Sequence, residues 1–103
     1  MTDATPRVTD NAPASRLELT VGGVTAELAY RLRANRLVIV HTGVPEALEG
    51  HGVGGQLVQA AVSRAAAEGL TLVPLCPFAA AWLRRHPDVA ATVTIDWGEQ
   101  PAG

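Results

Sequence analysis

Four glycines in six residues, Gly50-His51-Gly52-Val53-Gly54-Gly55, stand between an apolar β-branched run at 37–41 and a segment with helical apolar spacing. That placement constrains the fold more than any other feature. Upstream, Leu17, Leu19 and Val21 alternate with Glu18 and Thr20, and Gly22-Gly23 separates them from a second alternating run at 24–30, so the pattern predicts a two-residue β-hairpin. After a break at Ala34-Asn35, residues 37–41 are too few for a helix and rich in Val and Ile, which predicts a third antiparallel strand. Downstream, Leu57, Val58, Ala61, Val62, Ala65 and Ala66 recur at helical spacing up to Gly69.

Residues 70–75 then read as a buried strand, with Pro74 suited to its end. A strand, helix, strand crossover makes its two outer strands parallel. Pro77 fits the first turn of a second helix over 78–85, Pro87 stops its continuation, and residues 91–97 are compatible with one last strand. The expectation is an α/β domain with a mixed sheet in the order β-β-β-α-β-α, plus that C-terminal strand. Residues 1–15 lack large apolar side chains and are expected to form a flexible N-terminal segment, leaving a domain at 16–97 and a flexible tail at 98–103.

At 103 residues and 48% hydrophobic content, the chain can bury one core but not two. Its net charge of −2 is spread along the chain and offers no footprint for nucleic acid or an anionic membrane. All eight basic residues are arginines, which excludes a P-loop lysine and a lysine Schiff base. With Cys76 as its one cysteine, no secretory signal and no apolar run near the roughly 20 residues of a membrane span, the chain reads as a cytoplasmic protein.

A tight glycine loop opening a helix lets backbone amides converge on phosphate oxygens without obstruction by side chains. A dinucleotide-binding β-α-β unit would carry such a loop after its first strand and an acidic residue well beyond it. Three strands precede this loop, which disfavours that reading.

The ordered combination of His41-Thr42-Gly43-Val44-Pro45, the stretch from Leu48 through the glycines to Val58, Pro74-Leu75-Cys76-Pro77-Phe78, and Trp82-Leu83-Arg84-Arg85-His86-Pro87 resembles a small single-domain branch of the Gcn5-related N-acetyltransferase superfamily. The resemblance implies a reduced acetyltransferase fold in which the third strand and the crossover strand splay apart and acetyl-coenzyme A enters the gap as cosubstrate. It implies that Gly50, His51, Gly52, Val53, Gly54 and Gly55 grip the pyrophosphate and that backbone at Val44 meets the pantetheine arm. The sequence departs from the pattern at Glu49, where the signature often begins with Arg or Gln, and at Gly43, where relatives commonly carry an acidic residue.

Cys76 lies between a strand and a helix, where helix amides favour a thiolate; a lone cysteine is otherwise a small buried hydrophobe, and the resemblance favours the chemical role. There it would accept the acetyl group or position the thioester while an amine attacks. His41 ends the third strand and is a candidate base, or else a local hydrogen-bonding group. Arg85 is a candidate for the cofactor phosphates or a solvated helix end, and Phe78 for the pantetheine channel or helix packing. The expected function is acetyl transfer from acetyl-coenzyme A to an amine acceptor, protein or small molecule. The alternatives are a non-catalytic coenzyme A or acyl-coenzyme A binding module, and an interaction domain pairing through residues 92–97.

Overall fold

The hydrophobic alternation of the N-terminal half closes into one sheet. In a computed structural model, which describes residues 7–98, strands β1 (Thr9–Asn11), β2 (Arg16–Val21), β3 (Val24–Arg33), β4 (Arg36–Gly43) and β5 (Thr71–Pro74) lie in the order β1-β2-β3-β4-β5. The first three pairings are antiparallel and β4 pairs with β5 in parallel. Helix α1 (Val53–Glu68) makes the crossover, and α2 (Pro77–Arg85) and α3 (Pro87–Ala90) follow β5. Leu19, Leu28, Leu37 and Ile39 from the sheet meet Leu57, Val58 and Leu83 from the helices, all fully buried. These branched side chains face one another across the layers and supply the apolar burial that drives folding.

Local chemistry sets the element ends. Gly22 and Gly23 take positive φ in the β2–β3 turn, and Gly69, at φ 68°, ends α1 in the left-handed conformation that glycine adopts without Cβ strain. Pro77 opens α2. Pro87 stops α2 as expected and then begins the short turn α3 instead of a loop, because its fixed φ suits a first helical position.

Two expectations change. The segment expected to be flexible up to Ser15 contains β1, which pairs with β2 from Thr9↔Glu18 to Asn11↔Arg16. Asp10 anchors it by accepting hydrogen bonds from the Tyr30 hydroxyl (2.6 Å) and Arg64 Nη1 (2.7 Å), partners far away in sequence. Residues 1–6, and 99–103 of the expected tail, lie outside the described residues. No last strand forms over 91–97 either. One parallel bridge joins Ile95 to Leu72, with the Leu72 amide donating to Thr94 and the Asp96 amide donating to Leu72, both at 2.8 Å. Trp97 instead packs its ring against the Arg84 guanidinium, 4.5 Å away.

The sheet also carries a bulge. Ala29 pairs with His41 and Tyr30 pairs with Ile39, so Val40 is an extra residue in β4. Cross-strand partners share a face, and one extra residue reverses the alternation beyond it. Leu37 and Ile39 therefore face the core before the bulge, and Thr42, opposite buried Leu28, faces it afterwards.

Among the described residues, no helix is long and apolar enough to cross a membrane, and no group of three His, Cys, Asp or Glu side chains could hold a metal.

Candidate functional site

Strands β4 and β5 pair from Arg36↔Thr71 to Ile39↔Pro74 and then part. The amides of Leu75 and Cys76 both donate to the Ile39 carbonyl at 3.1 Å, after which the chain turns into α2 while β4 runs on to Gly43. The parting opens a cleft of about 470 Å³. Thr42 and Val44 line it from the β4 side, Leu48, Glu49, Gly50, Gly52, Val53, Gly54 and Gly55 from the loop and the start of α1, and Phe78 and Trp82 from α2. This is the splayed gap expected from the sequence.

The glycines divide the work of shaping the cleft. Gly50 (φ 84°) and Gly52 (φ 73°) hold left-handed backbone, which costs a residue with a Cβ about 1–2 kcal/mol. Gly54 and Gly55 lie in the first turn of α1 and serve close packing instead. A Cβ on Gly54 would stand 2.6 Å from Phe78 Cζ, and one on Gly55 would stand 2.4 Å from Trp82 Nε1. Phe78 and Trp82, four residues apart on one face of α2, thus press onto bare backbone. No side chain caps the N-terminus of α1, so its first amides remain available as donors beside the cleft.

Cys76 immediately precedes α2 and is 6% exposed. Its thiol donates to Thr42 Oγ1 at 3.5 Å. Burial pushes the thiol up, but the Thr42 hydroxyl and the backbone amides of Ala79, Phe78 and Thr42 outweigh it, so the group sits below the ordinary thiol range. Leu75 and Phe78, both exposed, flank it in sequence. Sequence reasoning did not single out Thr42, which links the cleft to the sulfur. Its only signal was its place one residue after His41.

The other expected residues divide between surfaces. His41 is exposed on the sheet face opposite the core, where its Nε2 would lie 3.3 Å from a Cβ on Gly43. His51 stands in the loop but lines a second hollow with Leu19, Val21 and Gln56, and does not line the cleft. Arg85 is exposed in the last turn of α2, three residues beyond Trp82, and does not line the cleft. The cleft therefore brings together Val44, Gly50, Gly52, Val53, Gly54, Gly55 and Phe78, with Cys76 behind Thr42. Glu49 lines it and no arginine does, leaving backbone dipoles as its source of positive potential.

Comparison with known proteins agrees with this architecture. The family described as GCN5-related N-acetyl-transferase matches residues 16–93. A GCN5-like protein of Staphylococcus aureus, solved in solution by NMR, superposes with a TM-score of 0.67 over 94% of this chain and 96% of its own, at 24% sequence identity. No curated protein matches the chain. From the parted strands, the glycine loop at the head of α1 and the match spanning most of the domain, the chain belongs to the GCN5-related N-acetyltransferase family.

Proposed function

We propose that the protein transfers an acetyl group from acetyl-coenzyme A to a primary amine. The carrying observation is the cleft itself, lined by the uncapped start of α1 and by Thr42, to which the Cys76 thiol is hydrogen-bonded. Its residues fit the cosubstrate. The loop at 50–55 and the start of α1 present amides to a pyrophosphate, and Val44, Leu48 and Phe78 offer apolar surface to the pantetheine arm. Arg85 follows Phe78 and Trp82 along the same stripe of α2, where its guanidinium can meet phosphate beyond the cleft.

Acetyl-coenzyme A supplies an acetyl group activated as a thioester. The chain's own part is to hold the phosphates, exclude water with Phe78 and Trp82, and set Cys76 beside the acetyl position. Thr42 supports the Cys76 thiolate by turning its hydroxyl to donate. His41, on the far side of β4, takes a proton from the acceptor amine. A reducing compartment such as the cytoplasm suits a function that needs Cys76 as a free thiol.

The test is incubation with acetyl-coenzyme A and a panel of amines, following free coenzyme A thiol and the intact mass of the protein. Turnover that falls at least tenfold in Cys76→Ala supports the reading, and an acetyl adduct lost in that variant assigns the acceptor role to the sulfur. Thiol release no faster than in Cys76→Ala would leave only a binding module.

A further inference from the structure

The outer face of the sheet carries a second set of groups that the cleft does not use. A shallow groove of about 380 Å³ lies there, lined by Thr25, Glu27, Gly43, Val44 and Pro45. Val44 lines both this groove and the cleft, so the two hollows meet at the end of β4. At its floor, Gly43 pairs with Glu27 across β3 and β4. The position that a Cβ on Gly43 would occupy is 3.3 Å from His41 Nε2 and 3.7 Å from Glu27 Cγ. With no side chain at Gly43, the imidazole and the Glu27 side chain close in over its bare backbone, where even one added carbon would crowd His41.

Two carboxylates from neighbouring strands stand beside that position. Glu18 and Glu27 are direct cross-strand partners, an arrangement that repels unless a cation stands between them. Arg16 does so, with Nη2 3.2 Å from Glu18 and Nη1 3.4 Å from Glu27. One guanidinium is thus shared between two carboxylates. The Glu27 side chain is 40% exposed and therefore accessible to a partner from solvent.

We propose that this groove is the acceptor subsite and that the Glu27 carboxylate holds the ammonium group of a cationic primary amine over Gly43, next to His41. The assignment rests on the acetyl-transfer reading. It makes Glu27 the specificity-determining residue, supplied by the neighbouring strand at a place where β4 itself has no side chain. In going from ammonium to amide, the nitrogen gives up two protons. One passes to His41 and on to solvent, and the other ends on the sulfur released from the thioester. The new carbon–nitrogen bond forms as the carbon–sulfur bond breaks. A neutral alcohol or amide makes no ion pair with Glu27 and is discriminated against.

The experiment is amide NMR on the ¹⁵N-labelled full chain at pH 7, titrated separately with n-butylamine hydrochloride and with n-butanol. The expected result is that butylammonium shifts the amides of Thr25, Glu27, Gly43 and Val44, while butanol does not. Glu27→Gln should weaken the amine about fivefold, the upper end for one exposed ion pair. Thr25→Lys, which brings a cation into the groove without touching Glu27, provides a second variant and should abolish the shifts. Shifts elsewhere, no shifts, or equal affinity in wild type and Glu27→Gln would overturn the assignment. Acetyl-coenzyme A added to the same sample reports on the amides at 50–55. Silence there would count against the acetyl-transfer reading, while the amine titration still tests the groove.

Discussion

Substituting Gly55 by alanine places a methyl group where the Trp82 indole already lies. The new Cβ would be 2.4, 3.0 and 3.2 Å from Nε1, Cε2 and Cδ1 of the ring, against roughly 3.5–4.0 Å for a relaxed contact, so the ring edge must retreat by about 1 Å. It has little room to do so. His86 stacks on it with centroids 3.9 Å apart and planes 16° apart, and His86 Nδ1 lies 2.7 Å from the Trp82 carbonyl oxygen. Overpacking of this kind costs about 1–3 kcal/mol, while replacing glycine by alanine in a helix returns up to about 1 kcal/mol. The expected net loss is about 1–2 kcal/mol, or roughly 5–15 °C in Tm for a domain of this size. Thermal unfolding followed by circular dichroism measures it. In a Trp82→Leu background the obstructing ring is gone, and Gly55→Ala should be neutral or slightly stabilising, giving a coupling of about 1–3 kcal/mol in the double-mutant cycle. Simple additivity of the two substitutions would refute the close-packing explanation of Gly55. Gly54→Ala offers an internal comparison. Its obstacle is the far edge of Phe78, which is 41% exposed and can swing aside, so this substitution should cost less.

Further expectations concern the sulfur, the N-terminal strand and the cleft's charge. Because the folded environment lowers the Cys76 thiol, thiolate alkylation by iodoacetamide should rise with pH at lower values than for an unfolded peptide, and stability should climb as pH rises from the lowered folded value toward about 8.5–9. Thr42→Val removes a hydrogen bond to a charged sulfur, worth about 1.5 kcal/mol. That should cut the thiolate fraction about tenfold, and the greater nucleophilicity of a more basic thiolate partly offsets it, so alkylation at pH 7 should slow about threefold. Asp10→Ala removes two charge-assisted hydrogen bonds from a buried tyrosine and a mostly buried arginine and should cost about 1–3 kcal/mol in urea unfolding, with amide exchange rising first in Thr9–Asn11. Glu49→Gln takes a like charge away from an anionic ligand and should tighten acetyl-coenzyme A binding up to about fivefold in a binding titration.

The elements easiest to read from the sequence were those fixed by local chemistry. The Gly22-Gly23 turn, the helix ending at Gly69 and the Pro77 start of α2 each depend on backbone preferences of one or two residues, and each stands where expected. What the sequence left out depends on distant partners. β1 is held by Asp10 through Tyr30 and Arg64, so nothing within residues 1–15 announces it. The Val40 bulge was equally silent, yet it determines which side chain faces the cleft. Straight alternation from Leu37 and Ile39 would have turned His41 inward, whereas the extra residue turns Thr42 inward and leaves His41 beside Glu27. The place of the glycine loop at the head of α1 was legible, but the packing role of Gly54 and Gly55 emerges only when α2 lies across them.

The ligand proposed for the cleft at the head of α1 is a pyrophosphate joined to a pantetheine arm. Isothermal titration calorimetry of the protein with acetyl-coenzyme A, coenzyme A and ATP tests it most directly, with Gly52→Ala as the loop variant, since a Cβ at φ 73° strains the backbone without meeting any neighbour. Acetyl-coenzyme A and coenzyme A should bind saturably and ATP much more weakly, and Gly52→Ala should lose affinity for both coenzyme A forms. Equal weak heats for all three ligands, or wild-type affinity in that variant, would contradict it.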